Sequence, residues 1–489
     1  MPLGAADLLA VNQTSAGFNT MNLLNIFNSN KKQVAQTIPT GGLEGATRYS
    51  TDRSYIQTSE GTIDVPNFAR SEVLSIARYL VNNFSVMERI LTLCESYAIG
   101  SGIYAQAATK DAAFNEAATA YFDNWSNSQF SSVTNEVNIT DIQKLIIREL
   151  LIAGEIFLVL TKSESNYPQI IPVISEQVRS TGKKNDKSID GIFYNPQGKA
   201  LSYQIFFEDK KATIIDASNV IHLKRFKSVN QKRGISAFAA SLNSMRDVKD
   251  LLSLEKNSTK VHAALAATVS KRNGGEVGDG LFGRNRTQTP PVASTTSRNS
   301  VLEKIFGGAI AYLGENEKVD LIQSNRSTEG FLKFVELLLR DVCLNLSLSY
   351  ELVVNPTALS SAATRFIIAD ASYLFGSLQD IVINGALNRL YAWVIASAVK
   401  EGKLGNSKDA NWYVVNWVKP QSATIDAGRK DAGELQFVLN NLESLDTFYS
   451  SRGLTWNKEL EQIAQEKAFI KELQTKYDVE LSTKDITKL

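Results

Sequence analysis

Few residues of this sequence have the types and spacing that catalysis requires. His222 and His262 are the only histidines, and neither belongs to an HExxH or CxxC pattern that would make it a metal ligand. Gly182 and Gly198 each precede a lysine but lack the other residues of a phosphate-binding loop. The glycines of 274–283 follow no predicted strand and the acidic residues form no compact set, which argues against a dinucleotide site and a two-metal nuclease. We therefore expect no enzymatic activity, no cofactor and no metal site.

The cysteines and the apolar segments indicate a reducing compartment. Cys94 and Cys343 lie far apart, each within an apolar helical pattern, and are expected to be buried free thiols. The N-terminus lacks the charge and apolar core of a signal peptide. The most apolar stretch, 366–399, contains Asp370 and Asp380, which would be costly inside a membrane. We expect a soluble intracellular protein with no membrane partner.

The spacing of basic residues in one predicted helix suggests a surface that could contact nucleic acid. Residues 234–270 contain no proline and no glycine after Gly234, which predicts one long helix ending near Ser270. Its apolar face would comprise Val248, Leu251, Leu254, Val261, Leu265 and Val269. The opposite face would carry a basic stripe, namely Arg246, Lys249, Lys256, Lys260 and Lys271. Cations segregated in this way can contact nucleic-acid phosphates without reading sequence, although a merely solvated helix face has the same pattern.

Composition limits how strongly the chain can bind nucleic acid. Its 489 residues are too many for one core and indicate about two to four domains, and 43% of them are hydrophobic. Lysine and arginine number 52 against 51 acidic residues. Any affinity for nucleic acid must therefore be local to a surface such as the basic stripe.

The elements that position the stripe alternate between helical and β-rich segments. Residues 1–45 show no hydrophobic period and are expected to be a flexible arm. Helices are predicted over 67–99, 110–125, 138–151 (with Thr140 as N-cap), 330–346, 363–399, 430–452 and 457–477. Strands are predicted over 156–160, 169–174, 192–194, 201–207, 213–215, 220–223, 309–313 and 319–322.

Three intervening segments leave alternatives open. The segment 271–300 combines five glycines with four arginines and is either a solvent loop or a flexible contact with nucleic acid. The helical period breaks over 350–361, which predicts a loop held by the helices on either side. Loops of the β-rich insert hold grouped lysines that serve either solubility or partner docking, namely Lys183, Lys184, Lys187, Lys210 and Lys211.

The order of these parts resembles the lambda-type phage portal proteins, from about residue 46 to 475. The similar segments are the arginine-rich opening helix with its Gly-x-Gly turn (70–103), the approach to the long helix (220–222 and 231–236), a Gly-Glu strand turn (309–318) and the loop before the next helix (349–351 and 360–361). The resemblance implies an α+β fold with a flexible arm (1–45), a wing (46–137 and 271–420), stem helices (138–155 and 233–270), a β-rich clip (156–232) and a helical C-terminal crown (421–489).

The function implied by the resemblance is that of a ring of about twelve subunits at one capsid vertex, through which double-stranded DNA is packaged and ejected. The basic stripe would face that channel, and the grouped lysines of the clip would dock the terminase large subunit and head-completion or adaptor proteins. Major capsid and scaffold proteins would be further partners. The protein would reside in the virion and, during assembly, in the host cytoplasm. A tunnel loop is implied at Val353, Val354, Asn355, Pro356, Thr357, Ala358, Leu359 and Ser360.

Two alternatives remain open from the residues alone. The tunnel-loop apolar residues would either constrict the channel or simply cap the helices beneath them. The whole chain could instead be a minor capsid or scaffold-like structural protein without a DNA channel, its basic helix face docking an acidic partner. A ring with a central hole would distinguish the channel from this alternative.

Overall fold

The computed structural model describes residues 67–182, 187–207, 211–228, 231–270, 302–305, 308–313, 328–355, 360–420, 427–450, 452 and 456–477, and these combine helices with small sheets. The helices are α1 (Asn67–Asn83), α2 (Ser85–Ala98), α3 (Ala112–Asn127), α4 (Ile139–Ile152), α5 (Leu242–Ala264), α6 (Thr328–Leu344), α7 (Tyr350–Val353), α8 (Ser361–Val382), α9 (Asn388–Lys400), α10 (Ala427–Leu439), α11 (Leu445–Ser450) and α12 (Trp456–Tyr477). The strands are β1 (Tyr104–Ala107), β2 (Glu155–Lys162), β3 (Pro168–Val173), β4 (Ile192–Tyr194), β5 (Ala200–Phe206), β6 (Ala212–Asp216), β7 (Val220–Lys224), β8 (Leu265–Ser270), β9 (Leu302–Ile305), β10 (Gly308–Leu313) and β11 (Val415–Val418).

Strand β2 is the centre of the β-rich insert. It pairs antiparallel with β3 on one side and with β7 on the other. Its side chains alternate between two cores, with Ile156 and Leu158 in the large helical core and Phe157 and Val159 in a smaller core shared with the sheet β4–β5–β6. Burial on both faces explains the unbroken apolar sequence of this strand. The strands predicted over 156–223 are all present, with ends within two residues of the prediction.

Helix α4 leads directly into β2 and begins with a reciprocal cap. Asn138 Oδ1 accepts a hydrogen bond from Asp141 N at 2.9 Å, and Asp141 Oδ2 accepts one from Asn138 N at 3.3 Å. The N-cap is therefore Asn138 and not Thr140, because Asn138 alone combines an extended backbone with an acidic residue three positions later. The first predicted helix is also divided, since Phe84 adopts an extended backbone between α1 and α2.

The helix that carries the basic stripe is shorter than predicted at both ends. It spans 23 residues, or about 35 Å, and the prediction of one helix over 234–270 is wrong. Before it, Ala237 N donates to Leu151 O at 3.0 Å and Phe238 is fully buried, so this stretch packs on α4 instead of forming helical hydrogen bonds. After it, Leu265 and Val269 lie in β8, which pairs in parallel with β10.

Helices α8 and α9 continue through a π-helical turn, Ile383–Leu387, as one apolar run. Ser361–Lys400 is the one helix among the described residues that is long and apolar enough to cross a membrane by length and composition. Its inner face, which includes Phe375 and Tyr391, lies in the large core, and the run also carries the exposed acids that the sequence marks as costly in a membrane. We therefore describe it as a core helix.

The described C-terminal residues form three helices rather than the two predicted. The single helix predicted over 430–452 is replaced by α10 and α11, because the chain turns at Asn441, whose φ is +57°. Helix α10 packs on α11 and α11 on α12. Helix α12 matches its prediction within one residue.

Candidate functional site

Arg246, Lys249, Lys256 and Lys260 of the basic stripe lie on α5, and the first half of this helix is packed. Val248 is buried against Val335 and Leu339 of α6. From Ser253 to Lys260 every side chain is exposed, and Leu254 is 65% exposed. Leu254, which the sequence places on the apolar face of the helix, is therefore not covered by the described part of the single chain.

The members of the stripe differ in their surroundings. Lys249 Nζ donates to Tyr79 Oη at 2.8 Å and lies 4.0 Å from the centre of the Tyr79 ring, which joins α5 to α1. Lys256 and Lys260 are exposed and form no hydrogen bond or ion pair with the part of the chain that the structure describes. Arg246 is partly buried, and Lys271 lies outside the described residues. Among the stripe residues that the structure places, the most accessible cations are thus Lys256 and Lys260.

The structure also reveals a buried ionic group that the sequence did not predict. It surrounds Glu155, the first residue of β2. Glu155 Oε1 accepts hydrogen bonds from Arg233 Nε at 2.9 Å, from Arg233 Nη2 at 2.6 Å and from Ser175 Oγ at 2.6 Å. Glu155 Oε2 accepts one from Gly234 N at 2.6 Å and lies 3.1 Å from His222 Nε2. One carboxylate therefore joins β2, β7 and the residues that precede α5.

Arg70 and Asp190 complete this group, which we call the Glu155 cluster. Arg70 Nε donates to Asp190 Oδ2 at 2.9 Å, and Arg70 Nη1 donates to Ser175 Oγ at 2.8 Å. Arg233 Nη1 lies 3.3 Å from Asp190 Oδ2. Two arginines and two carboxylates, none more than 9% exposed at the side chain, balance each other in charge. The cluster also ties α1 to the turns that follow β3 and precede β4.

The cluster fixes the charge states of its members. Burial alone would raise the pKa of Glu155, but the charge of Arg233 and the hydrogen bond to His222 hold that pKa well below its usual range. Burial lowers the pKa of His222, although its bond to Glu155 opposes the change. The His222 ring stacks on Phe157 at 4.2 Å between centroids. The ionised carboxylate of Glu155 and the imidazole of His222 therefore connect the first residue of β2 to β7.

A second ionic contact also joins separate elements. Arg78 of α1 donates to both oxygens of Glu149 of α4, at 3.0 and 2.8 Å, and also to Glu176, which follows β3. Burial alone would lower the pKa of Arg78, but its bonds to Glu176 and Glu149 outweigh burial and raise that pKa. Arg78 thus holds α1, α4 and the turn after β3 together through its contacts with Glu149 and Glu176.

The predicted loop between α6 and α8 is anchored on both sides. Arg340 of α6 pairs with Glu351 of α7 at 2.7 Å, and Ser360 Oγ caps α8 by accepting from Ala363 N at 3.4 Å. Val353 is buried in the large core, whereas Val354 is 38% exposed, and Asn355 and Ser360 are also exposed. Pro356, Thr357, Ala358 and Leu359 lie outside the described residues.

The remaining candidate residues are placed only in part. Lys187 and Lys211 are exposed in the β-rich insert, and Lys183, Lys184 and Lys210 lie outside the described residues. Cys94 and Cys343 are buried free thiols, as predicted. Within the described ranges no group of three or more His, Cys, Asp or Glu side chains is arranged to hold a metal ion.

The described residues thus combine a helix with exposed cations, a β-rich insert joined by buried charges to the residues that precede this helix, and an anchored loop between α6 and α8. The family model described as "Phage portal protein, lambda family" matches residues 57–379, which is more than half of the chain. The chain belongs to this family and is a portal protein.

Several solved structures are similar to the chain. A chain from the neck of a native GTA particle, computed with C12 symmetry, is 13% identical, with 78% of this chain and 93% of that chain covered and a TM-score of 0.44. A chain from the neck of the empty particle, computed with C6 symmetry, is 14% identical, with the same coverages and a TM-score of 0.45. A chain from the virion of the native gene transfer agent particle is 12% identical, with 69% and 91% covered and a TM-score of 0.38. No curated protein matches the chain.

Proposed function

We propose that copies of this chain form a ring of about twelve subunits at one vertex of a viral head, with α5 facing a central channel for double-stranded DNA. DNA would pass through this channel during packaging and again during ejection. The protein would act as a structural conduit and not as an enzyme. It would be found in the virion and, before that, in the host cytoplasm during assembly.

The observation that carries this proposal is that Lys256 and Lys260, in the exposed stretch 253–260 of α5, are accessible and pair with no described residue. In a ring each lysine is repeated once per subunit, so the two positions would form hoops of positive charge about 6 Å apart along the helix. Phosphate contacts of this kind do not depend on sequence, and each one is replaced by an equivalent contact as the duplex advances. A chain with 52 basic and 51 acidic residues would attract DNA only at such hoops, which favours sliding over tight binding.

The remaining parts follow the order of the family. We assign the wing to 46–137 and 271–420, the stem to 138–155 and 233–270, the clip to 156–232 and the crown to 421–489. The clip would dock the terminase large subunit and, later, head-completion or adaptor proteins, with Lys187 and Lys211 as exposed candidates. The wing would meet major capsid and scaffold proteins. The tunnel loop would lie within 353–360, where Val354 is the first apolar residue with an exposed side chain.

The test removes these two exposed cations without disturbing packing. The double variant Lys256→Ala/Lys260→Ala should still form rings but should retain less DNA in filled heads, because two hoops of charge are lost. The control is Lys110→Ala/Lys333→Ala, which removes two exposed lysines from other parts of the chain, of which Lys333 forms a surface ion pair with Glu329. The readouts are particle mass and shape by negative-stain microscopy and the length of the retained genome.

The outcomes separate the proposal from its competitor. Normal rings with the same retained genome length as the control would remove the stripe from the mechanism. A wild-type chain that forms a monomer or a shell-like lattice would contradict the ring itself and favour a capsid or scaffold component.

A further inference from the structure

The turn that follows β7, which we define as 224–228, lies in a stretch of chain with no acidic residue. Residues 217–246 contain six basic residues and no aspartate or glutamate, the basic residues being Lys224, Arg225, Lys227, Lys232, Arg233 and Arg246. Arg233 is neutralised within the Glu155 cluster. The other cations of this stretch need counterions from elsewhere, and two of them have none within the described part of the chain.

These two cations are Arg225 and Lys227. Arg225 Nη1 is buried without a hydrogen-bond partner, and the Lys227 side chain forms no hydrogen bond or ion pair with the described residues. Partial desolvation of its ammonium group lowers the pKa of Lys227, and the charge of Arg225 lowers it further, so the two cations are close enough to repel each other. A buried N–H group without an acceptor costs free energy, which an incoming anion would recover.

The groups around Arg225 do not neutralise it. Arg225 interacts electrostatically with the thiol of Cys94 on α2, but burial raises the pKa of that thiol to about 12. Cys94 is therefore uncharged near neutral pH. Glu95, the next residue of α2, is already paired with Arg148 of α4 at 2.8 Å. The uncompensated charge is thus a property of the folded chain and not only of its local sequence.

Buried hydrogen bonds hold the backbone of the turn in place. Gln231 is 5% exposed, and its side-chain amide spans the turn. Gln231 Oε1 accepts from Lys227 N at 2.7 Å, and Gln231 Nε2 donates to Arg225 O at 3.1 Å. Arg225 N also donates to Gly154 O at 2.9 Å. The backbone that presents the two cations is therefore ordered before any ligand arrives, which reduces the entropic cost of binding.

We propose that Arg225 and Lys227 together bind a phosphate group. Arginine and lysine are the side chains that bind phosphates in proteins, arginine through its planar fork and lysine as a point charge. Two cations without an acid between them match a phosphate better than a carboxylate, because a phosphate has more acceptor oxygens and, as a free ion or monoester, a second negative charge. Lys227 is exposed, so the site is open to solvent.

The phosphate belongs either to the backbone of double-stranded DNA or to free phosphate in solution. In both cases the site is separate from the basic stripe, because it lies in the turn after β7 and not on α5. It needs only one chain. The inference therefore goes beyond the proposed function and does not depend on the ring.

The first experiment measures the thermal unfolding midpoint of the full-length protein in sodium phosphate and in sodium chloride of equal ionic strength and pH. The variants are Arg225→Gln and Lys227→Gln, and the control is Lys199→Gln, an exposed lysine in the turn between β4 and β5. We expect phosphate to raise the midpoint of wild type and control in a saturable manner. Each of the other two variants should bind phosphate about tenfold more weakly, which corresponds to the loss of one charge-assisted contact.

A further variant tests the unfilled site. Arg225→Met replaces the guanidinium with an apolar side chain. In chloride we expect its unfolding midpoint to be at least as high as that of wild type, because a buried N–H group without a partner is removed. A clearly lower midpoint in chloride would mean that Arg225 is satisfied within the chain, which contradicts the proposal.

The second experiment identifies the source of the phosphate. Fluorescence anisotropy with a short labelled duplex is measured in the Lys256→Ala/Lys260→Ala background, so that these stripe lysines do not contribute. A loss of about tenfold on adding Lys227→Gln, together with displacement of the duplex by inorganic phosphate, would assign the site to the DNA backbone. An unchanged duplex affinity, with the phosphate-dependent rise in midpoint retained, would assign it to free phosphate.

Three results would overturn the inference. Wild type could have the same midpoint in phosphate and in chloride. Arg225→Gln and Lys227→Gln could show the same rise as the control. Sodium acetate could raise the midpoint as much as phosphate does, which would assign the cations to a carboxylate and hence to an acidic segment of a protein partner. None of these measurements requires ring assembly, so such a failure would leave the proposed function as it stands.

Discussion

Glu155 and Arg233 form an ion pair in the interior, in which a single oxygen, Glu155 Oε1, accepts hydrogen bonds from Arg233 Nε at 2.9 Å and from Arg233 Nη2 at 2.6 Å. Glu155 opens the central strand of the β-rich insert, and Arg233 lies just before the helix that carries the basic stripe. The orientation of the insert relative to that helix therefore depends on this contact. Its energetic role can be measured.

Glu155→Gln should destabilise the chain strongly. The substitution removes the negative charge and leaves Arg70 and Arg233 buried with only Asp190 as a counterion, a type of change that costs about 3–5 kcal/mol. The measurement is the urea unfolding midpoint followed by tryptophan fluorescence. Glu176→Gln is the control, because its carboxylate is 38% exposed and its pair with Arg78 is screened by solvent. Equal shifts for the two variants would contradict the importance assigned to the Glu155 cluster.

Acidification should weaken the same cluster in a defined window. The folded pKa of His222 is lowered by burial, so below its unfolded value of about 6.5 the unfolded chain takes up a proton first, and the contribution of His222 to stability is lost as the pH falls. Glu155 has a depressed pKa and acts in the same direction, with its contribution present above about pH 4.3 and lost at lower pH. We expect the unfolding free energy to fall between about pH 7.5 and 5.5. The variant His222→Gln should show a shallower slope, and an unchanged slope would mean that His222 titrates equally in both states.

Gly154 should not tolerate a side chain. It joins α4 to β2 with φ of +79°, and a Cβ atom there would lie 2.1 Å from Ile235 O. Gly198 is a matched control, because its φ is +84° and a Cβ atom there would have no neighbour within 4 Å. We expect Gly198→Ala to cost about 1–2 kcal/mol through backbone strain alone and Gly154→Ala to give little soluble protein. Comparable soluble yields for both variants would show that Ile235 can move aside.

Two lysines of the basic stripe should behave differently. Lys249→Ala removes the contact with Tyr79 and should lower the unfolding midpoint slightly, because it loosens α5 from α1. Lys256→Ala should leave the midpoint unchanged and should reduce DNA retention in filled heads, most clearly at low salt. The pair of measurements is unfolding and retained genome length for each variant. If the two variants had the same unfolding midpoint and the same retained genome length, the distinction between a packed Lys249 and an exposed Lys256 would be contradicted.

The two cysteines should be unreactive in the folded chain. Burial raises the pKa of Cys94 to about 12 and that of Cys343 to about 11, so neither forms appreciable thiolate near neutral pH. Ellman's reagent should titrate no thiol in native protein and both thiols in urea. Rapid labelling of the native chain would show that α2 or α6 opens locally.

Local sequence was sufficient for elements whose structure depends on near neighbours. The strands of the β-rich insert were predicted to within two residues, because glycine, proline and asparagine mark their turns and alternation marks their faces. The helix over 234–270 was overextended for the opposite reason. Nothing in its composition breaks a helix, yet Phe238 is drawn into the core beside α4 and Leu265–Ser270 is drawn into a sheet with β10.

The sequence by itself determined the family, the alternation of helical and β-rich parts, the absence of recognisable catalytic motifs and the position of the basic stripe along the chain. These properties depend on the order of the segments along the chain and on the spacing of apolar and charged residues within each segment. Only the tertiary structure decided that Arg70, Glu155, Asp190, His222 and Arg233 meet in one buried cluster, that Lys249 packs on Tyr79 while Lys256 stays exposed, and that the described C-terminal helices lack a core. Such contacts join residues that are far apart in the chain. A charged residue inside an apolar segment, such as Glu155, indicates that a counterion is needed, but the sequence does not show which residue provides it.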